Sequence, residues 1–134
     1  MVYEPFEQAK QMPPQAYQFT LPMQLPGLNE YINTCRLNRY QGARMKRMVE
    51  NKIAFFIMRL PMIKRPVTIH FHWIEPNRKR DLDNVAFAKK FILDALVKRG
   101  KLEDDSSKYV TGFTDTFEIG TKAQVIVLIQ EERT

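Results

Sequence analysis

Val67-Thr-Ile-His-Phe-His-Trp-Ile74 is the stretch on which the fold turns. Side chains alternate sides along a β-strand, so Val67, Ile69, Phe71 and Trp73 share an apolar face while His70 and His72 share the other. β-Branched and aromatic residues suit such a half-buried, extended segment. Two histidines at this spacing can bind a metal. Without a third nitrogen or sulfur ligand nearby, they read as ordinary residues of a polar face.

Downstream lies a charged connection, Glu75-Pro-Asn-Arg-Lys-Arg-Asp-Leu-Asp-Asn84. Asn84 to Arg99 then reads as a helix with Gly100 as its stop. Val85, Ala88, Phe91, Ile92, Ala95 and Leu96 form its core stripe, with Lys90 and Asp94 on the opposite side. Leu102-Glu-Asp-Asp-Ser-Ser107 is an acidic turn. Two strands follow, near 108–118 and 123–130, joined tightly around Gly120. The last is apolar on both faces, which places it inside a sheet or in a subunit interface.

Upstream, Tyr17-Gln-Phe-Thr-Leu21 alternates as a strand does, and Pro22, Pro26 and Gly27 break the chain after it. Asn29 is the expected N-cap of a helical region that Gly42 divides or kinks. Met45, Met48, Val49, Ile53, Phe56, Ile57 and Leu60 recur at helical spacing and predict a core face ending before Pro61. Residues 1–16, with Pro5, Pro13 and Pro14 among polar residues, read as an extended arm ahead of a domain spanning 17–134. The expected class is α+β: one domain in β-α-β-α-β-β order, a mixed sheet packed by two helical segments.

At 134 residues the chain has room for one core. Its apolar runs are strand-sized, far below the roughly 20 residues of a spanning helix, and no secretory leader is evident. One cysteine, Cys35, excludes an internal disulfide, and the expected location is the cytoplasm, with no membrane partner. Twenty-one Lys and Arg against fifteen Asp and Glu give a net charge of +6, which suggests a polyanionic partner. Arg36, Arg39, Arg44, Lys46 and Arg47 fall within twelve residues that contain no acid. That cluster, together with Arg78, Lys79 and Arg80, is the candidate DNA-phosphate surface.

Asp81 and Asp83 are the central candidates. If an extended path persists through Asp81-Leu82-Asp83, both carboxylates point the same way, roughly 6.6 Å apart at the backbone. Two such groups can converge on one hard cation. The plainer role of Asp83 is an N-cap, and Asp-x-Asp alone is a weak motif. Arg78, Lys79 and Arg80 set phosphate-binding cations beside it, Lys90 follows about two helical turns on, and Asp104-Asp105 supply further acids. Three carboxylates and a lysine suit metal-dependent phosphodiester hydrolysis. The bland alternative is solvated acids and a helix-surface Lys90–Asp94 pair.

Asn77-Arg-Lys-Arg-Asp-Leu-Asp-Asn84, Lys90-Phe-Ile-Leu-Asp-Ala-Leu96 and Asp104-Asp105, together with Leu28-Asn-Glu-Tyr-Ile32 and the basic helix, resemble the RusA-like crossover-junction endonucleases of bacteria and their phages. The resemblance spans about residues 17–130. It implies Holliday-junction resolution in DNA recombination and repair, by a homodimer making paired nicks in four-way DNA junctions. It also implies Mg²⁺ (Mn²⁺ as a possible substitute) held by Asp81, Asp83 and Asp105, with Asp104 as neighbour and Lys90 as the catalytic lysine. The segment between Asp83 and the lysine is about three residues longer than the family pattern. Counting from Asp83 therefore lands on Phe87, counting back from Asp94 lands on Lys90, and Lys89 stays open.

An unbroken helix from Asn84 to Arg99 runs about 24 Å at 1.5 Å per residue. The six steps from Arg99 to Asp105 span at most about 20–22 Å. Asp105 then cannot return to Asp83 of its own chain unless the helix bends or ends early. The expectation is a metal site shared between subunits. The competing readings are a DNA-binding module without chemistry, a nuclease for flaps, forks or linear duplex, and a structural phage protein.

Overall fold

The computed structural model describes residues 13–133. The alternating stretch forms β2, Val67–Glu75, and its neighbours fix the sheet. β4 (Gln124–Glu131) pairs antiparallel with one edge of β2, and β3 (Val110–Ile119) pairs parallel with the other. β1 (Ala16–Leu21) runs antiparallel to the far edge of β4, so the order is β1-β4-β2-β3. Between the strands lie α1 (Leu28–Leu37), α2 (Arg39–Ile57), the short helical turn α3 (Leu82–Ala86) and α4 (Lys89–Lys98). The chain is a single α+β domain in the expected β-α-β-α-β-β order, with a four-stranded mixed sheet. Of the expected arm at 1–16, residues 1–12 lie outside the described residues. Gln15 donates its backbone N–H to the Glu131 carboxylate at 2.8 Å, and Ala16 already belongs to β1. Among the described residues no helix is long and apolar enough to cross a membrane.

The apolar faces of the strands assemble as the alternation requires. Val67, Ile69, Phe71 and Trp73 are buried beside Val125, Val127 and Ile129 of β4, and Phe19 and Leu21 of β1 complete the layer. β4 is interior to the sheet, the first of its two expected placements. Onto this layer pack Ile53 and Ile57 of α2 and the predicted stripe Val85, Ala88, Phe91, Ile92, Ala95 and Leu96, all buried. On the other face His70 and His72 bond to Thr114, Thr116 and Glu118 of β3, which is the ordinary polar role read from their spacing.

Four local expectations are corrected. The helical region breaks at Asn38, not Gly42. Asn38 is extended, and its side-chain oxygen accepts from the N–H groups of Tyr40 and Gln41, starting α2. Gly42 instead allows α2 to approach α1, because a Cβ there would collide with Cys35 Sγ. Asn29 is not the cap of α1. Gly27 occupies that position without a capping side chain, and the Asn84 amide oxygen accepts the Asn29 N–H at 3.0 Å from across the fold. Met48 is exposed rather than core, while Glu50 and Ala54 of α2 are buried. The expected helix from Asn84 to Arg99 is two pieces, α3 and α4, broken at Phe87–Ala88.

The stop is where the glycine signals it. Gly100 has φ +71°, its N–H bonds Val97 O at 3.0 Å, and the next N–H bonds Leu96 O at 2.8 Å, a Schellman closure. This turn buries Leu102, so the acidic segment begins from a core anchor. The short link from β3 to β4 crosses the end of β2. Gly120 donates to Glu75 O at 2.9 Å there, and a Cβ at Gly120 would meet Ile74 at 2.8 Å.

An inward-facing ion pair ties α4 to the β3 edge. Lys89 Nζ bonds Asp115 Oδ2 at 2.6 Å, and the indole N–H of Trp73 donates to Asp115 Oδ1 at 2.8 Å. The ammonium also lies 5.4 and 5.1 Å from the ring centres of Phe71 and Phe113. Asp115→Ala leaves both donors without their acceptor, so it is expected to destabilise the domain by about 1–3 kcal/mol. Asp115→Asn, which keeps an acceptor for Trp73, is expected to lose less. Thermal unfolding checks the ordering; a melting temperature for Asp115→Ala equal to wild type contradicts it.

Candidate functional site

The segment 80–84 divides its labour residue by residue. Arg80 donates Nε to Glu75 Oε1 at 2.7 Å and Nη1 to Leu25 O at 3.0 Å, tying the loop to the end of β2 and to the turn before α1. Asn84 caps α1 as described above. A Cβ on Gly27 would fall 2.6 Å from Asn84 Oδ1 and 3.0 Å from Arg80 Nη1, so that glycine makes the close approach possible. Between these anchors Asp81, Leu82 and Asp83 are exposed. Asp81 occupies the N-cap of α3 but makes no side-chain capping bond. An N-cap aspartate that caps typically contributes about 1 kcal/mol, and this one leaves its oxygens uncommitted.

The extended path expected through Asp81-Leu82-Asp83 does not persist. β2 ends at Glu75 and Leu82 already begins α3, so Asp83 sits in a helical first turn. Asp81 lines a hollow of about 480 Å³ at the end of the parallel β2–β3 pair, with Arg78, Arg80, Glu75 and Glu118 around it and Val85 and Phe117 beneath. Arg78 and Lys79 are exposed beside the acids. Arg80, read as a phosphate contact, is instead a structural tie.

Lys90 and Asp105 come together elsewhere. Lys90 Nζ lies 3.2 Å from Asp94 Oδ1 and 3.5 Å from Asp105 Oδ2. Lys46, read as a phosphate contact, also turns inward: its Nζ lies 2.7 Å from Asp94 Oδ2 and 3.8 Å from Glu50 Oε1. Lys98 completes the cluster at 2.5 Å from Glu50 Oε2. A second hollow, about 370 Å³, is lined by Lys46, Lys90, Asp94, Lys98, Asp104 and Asp105, and shares no residue with the first. Among the described residues no group of three or more His, Cys, Asp or Glu is placed to hold a metal ion. One chain therefore does not gather Asp81, Asp83 and Asp105. The unbroken-helix premise for their separation fails at Phe87–Ala88, whereas the separation of Asp81 from Asp105 is seen in the two hollows, neither of which Asp83 lines.

Of the remaining predicted cations, Arg36, Arg39, Arg44 and Arg47 are exposed, with Arg39 stacked 5.1 Å over the Tyr40 ring. The two candidate lysines have separate fates. Lys89 is committed to Asp115, and Lys90 faces the open cluster. The bland Lys90–Asp94 pair does form, at 3.2 Å, but Asp94 is not a solvated surface acid: it lies between α2 and α4 with a side chain only 14% exposed, and what sequence reading missed is its second partner, Lys46. Lys46 and Glu50, four apart on α2, were the available signal, but their facing element was not legible.

The cluster polarises its own titration. Burial works against the Asp94 charge, yet hydrogen bonds from Lys46 and Lys90, with their positive charges, hold its carboxyl below the ordinary range. The same hydrogen bonds to Asp94 outweigh burial and raise both lysines. No family model matches this chain, and no curated protein is found as its relative.

A carboxyl that titrates lower folded than unfolded stabilises the fold above the unfolded pKa of about 3.9 and loses that contribution as pH falls through the folded value. Asp94→Asn is therefore expected to cost about 1–2 kcal/mol at neutral pH, with the gap to wild type closing as the solution is acidified below about pH 4. Urea unfolding across pH 3–7 checks this. A gap that widens towards acid contradicts it.

Proposed function

We propose that the chain is a Mg²⁺-dependent endodeoxyribonuclease of the RusA-like kind, acting on four-way DNA junctions as a homodimer. The observation that carries this reading is the presentation of Asp81 and Asp83. Both are exposed, Asp81 forgoes its cap, and Arg80 and Asn84 fasten the backbone on either side. Their oxygens are the hard donors that Mg²⁺ prefers, so the pair fits part of a site. Mn²⁺ accepts the same donors.

Asp81 and Asp83 hold the ion in this reading, and Asp105 of a second copy of the chain completes the ligand set. The ion, when bound, lowers the pKa of water and polarises a phosphoryl oxygen. Arg78 and Lys79 grip neighbouring phosphates, with Arg36, Arg39, Arg44 and Arg47 extending the basic track. Asp94 directs the Lys90 ammonium beside Asp105, where it can stabilise charge on a phosphate in the transition state. Paired sites, each dependent on both subunits, give a physical basis for paired nicks.

A second reading is a nucleic-acid-binding module without chemistry. It is favoured by the grouping of Asp105 with Lys90 rather than with Asp81. A synthetic four-way junction and a linear duplex of matching sequence, incubated with Mg²⁺ or EDTA, separate the two. The nuclease reading expects Mg²⁺-dependent paired nicks in the junction, reduced in Asp83→Asn by roughly the 10²–10³-fold lost when one transition-state stabiliser is removed. A junction that is bound but uncut with either Mg²⁺ or Mn²⁺ leaves the binding module. For the shared site, heterodimers of Asp83→Asn with Asp105→Asn are expected to recover single nicks, because one of the two sites is then intact. Complete inactivity of a verified heterodimer contradicts sharing.

A further inference from the structure

The exposed face of α2 carries a feature that the proposed chemistry does not use. Phe55 is 68% exposed and Met58, the residue that caps the end of α2, is 65% exposed, a large apolar display beside a helix whose other face is core. The Phe55 ring is not loose. It stands edge-on to Phe56, with centroids 5.1 Å apart at 83°, and Phe56 packs against the core cluster. Beside it is a hollow of about 390 Å³ lined by Asn51, Ala54, Phe55, Met58, Arg99 and Lys101. That size falls within the range of small-molecule clefts, about 300–1,000 Å³.

The hollow has an apolar wall and a polar wall. Phe55, Met58 and Ala54 make the first, and Asn51 and Arg99, joined by an Arg99 Nη2 to Asn51 Oδ1 bond of 3.3 Å, make the second. Lys101 is held at the rim by bonds to Met58 O and Leu60 O at 3.0 and 2.7 Å, capping the end of α2. Lys52, three residues before Phe55 on the helix, and Arg59, in the turn that follows α2, are exposed on either side of it in sequence. No carboxylate lines the hollow. Protein interfaces exclude lysine from their centres, whereas single-stranded nucleic acid is bound by an aromatic platform set among cations.

We infer that this hollow is a binding site for an unpaired nucleobase, stacked on Phe55, with its flanking phosphates on Lys52, Arg59 and Arg99. The inference rests on the nucleic-acid reading above and adds to it a single-strand contact away from the acidic residues. Asn51 supplies an amide able to meet a base edge, and the π-face of Phe55 accepts any base. The site therefore selects unpaired over paired nucleotides rather than one sequence.

Two oligonucleotides of equal length test it, one of unpaired thymidines and one abasic at every position, so that only the bases differ. Wild type is expected to bind the thymidine strand about tenfold or more tightly, with Phe55→Ala abolishing that preference and leaving the abasic affinity unchanged. Phe55→Trp adds a second indole to a chain whose only tryptophan, Trp73, is buried. Its exposed emission is expected to be quenched by the thymidine strand and not by the abasic one. Equal affinity of Phe55→Ala and wild type for thymidines overturns the inference, as does equal affinity of wild type for the two strands. A change in Phe55→Trp emission with protein concentration alone assigns the face to contact between copies and overturns it too. If wild type binds neither strand, nor a four-way junction, in a salt-sensitive way, the nucleic-acid reading itself fails and this site falls with it.

Discussion

The parallel pairing of β2 with β3 is the constraint on which the rest of the molecule depends. An antiparallel neighbour can be reached by a tight turn, but a parallel one requires the chain to return to the same end of the sheet. The 34 residues from 76 to 109 make that return. They have to cover the apolar face of β2 as they pass, which is why α4 buries Phe91, Ile92, Ala95 and Leu96 against Phe71 and Trp73. Asp81, Asp83, Lys89, Lys90, Asp94 and Asp105 all lie on this one crossover. Its two ends run to opposite ends of the sheet; Asp81 lines one hollow, Lys90, Asp94 and Asp105 line another, and Asp83 and Lys89 line neither.

Exposed acids need a fixed backbone if they are to bind anything, and the crossover obtains it by alternating roles. Arg80 and Asn84 look outward to other parts of the fold, gripping Glu75, Leu25 and the start of α1. Asp81 and Asp83 are left facing solvent. A run such as Arg-Asp-Leu-Asp-Asn thus reads as one charged motif in sequence, yet two of its members are mortar and two are available for ligands. The adjacent lysines repeat the pattern. A single residue step along α4 rotates the side chain by about 100°, sending Lys89 under the sheet edge to Asp115 and Lys90 to the cluster around Asp94.

That cluster is an electrostatic compromise. Three ammonium groups and the carboxylates of Asp94, Glu50 and Asp105 meet around the seam between α2 and α4, where the lysines, with their heads reaching towards solvent, offset the burial of Asp94 and Glu50. Its consequence for the basic surface is subtraction: Lys46 is used internally, and the outward cations are the arginines of α1 and α2, followed by Lys52 on α2 and Arg59 in the turn after it.

The sequence by itself determined the element order, the buried face of β2, the polar role of His70 and His72, the core stripe of α4 and the glycine stop at Gly100. These follow from periodicity and local backbone chemistry, which need no knowledge of distant partners. Only the tertiary structure decided which charges are free. Whether Arg80 or Lys46 faces solvent depends on Glu75, Leu25 and Asp94, residues 5 to 55 positions away that local spacing cannot place. The same limit hid the true break at Asn38, the cap that Asn84 lends to α1, and the interruption at Phe87–Ala88. At Asn38 a local side-chain bond competing with helix propagation, and at Asn84 a contact from elsewhere in the fold, outweighed a pattern that the sequence alone left open.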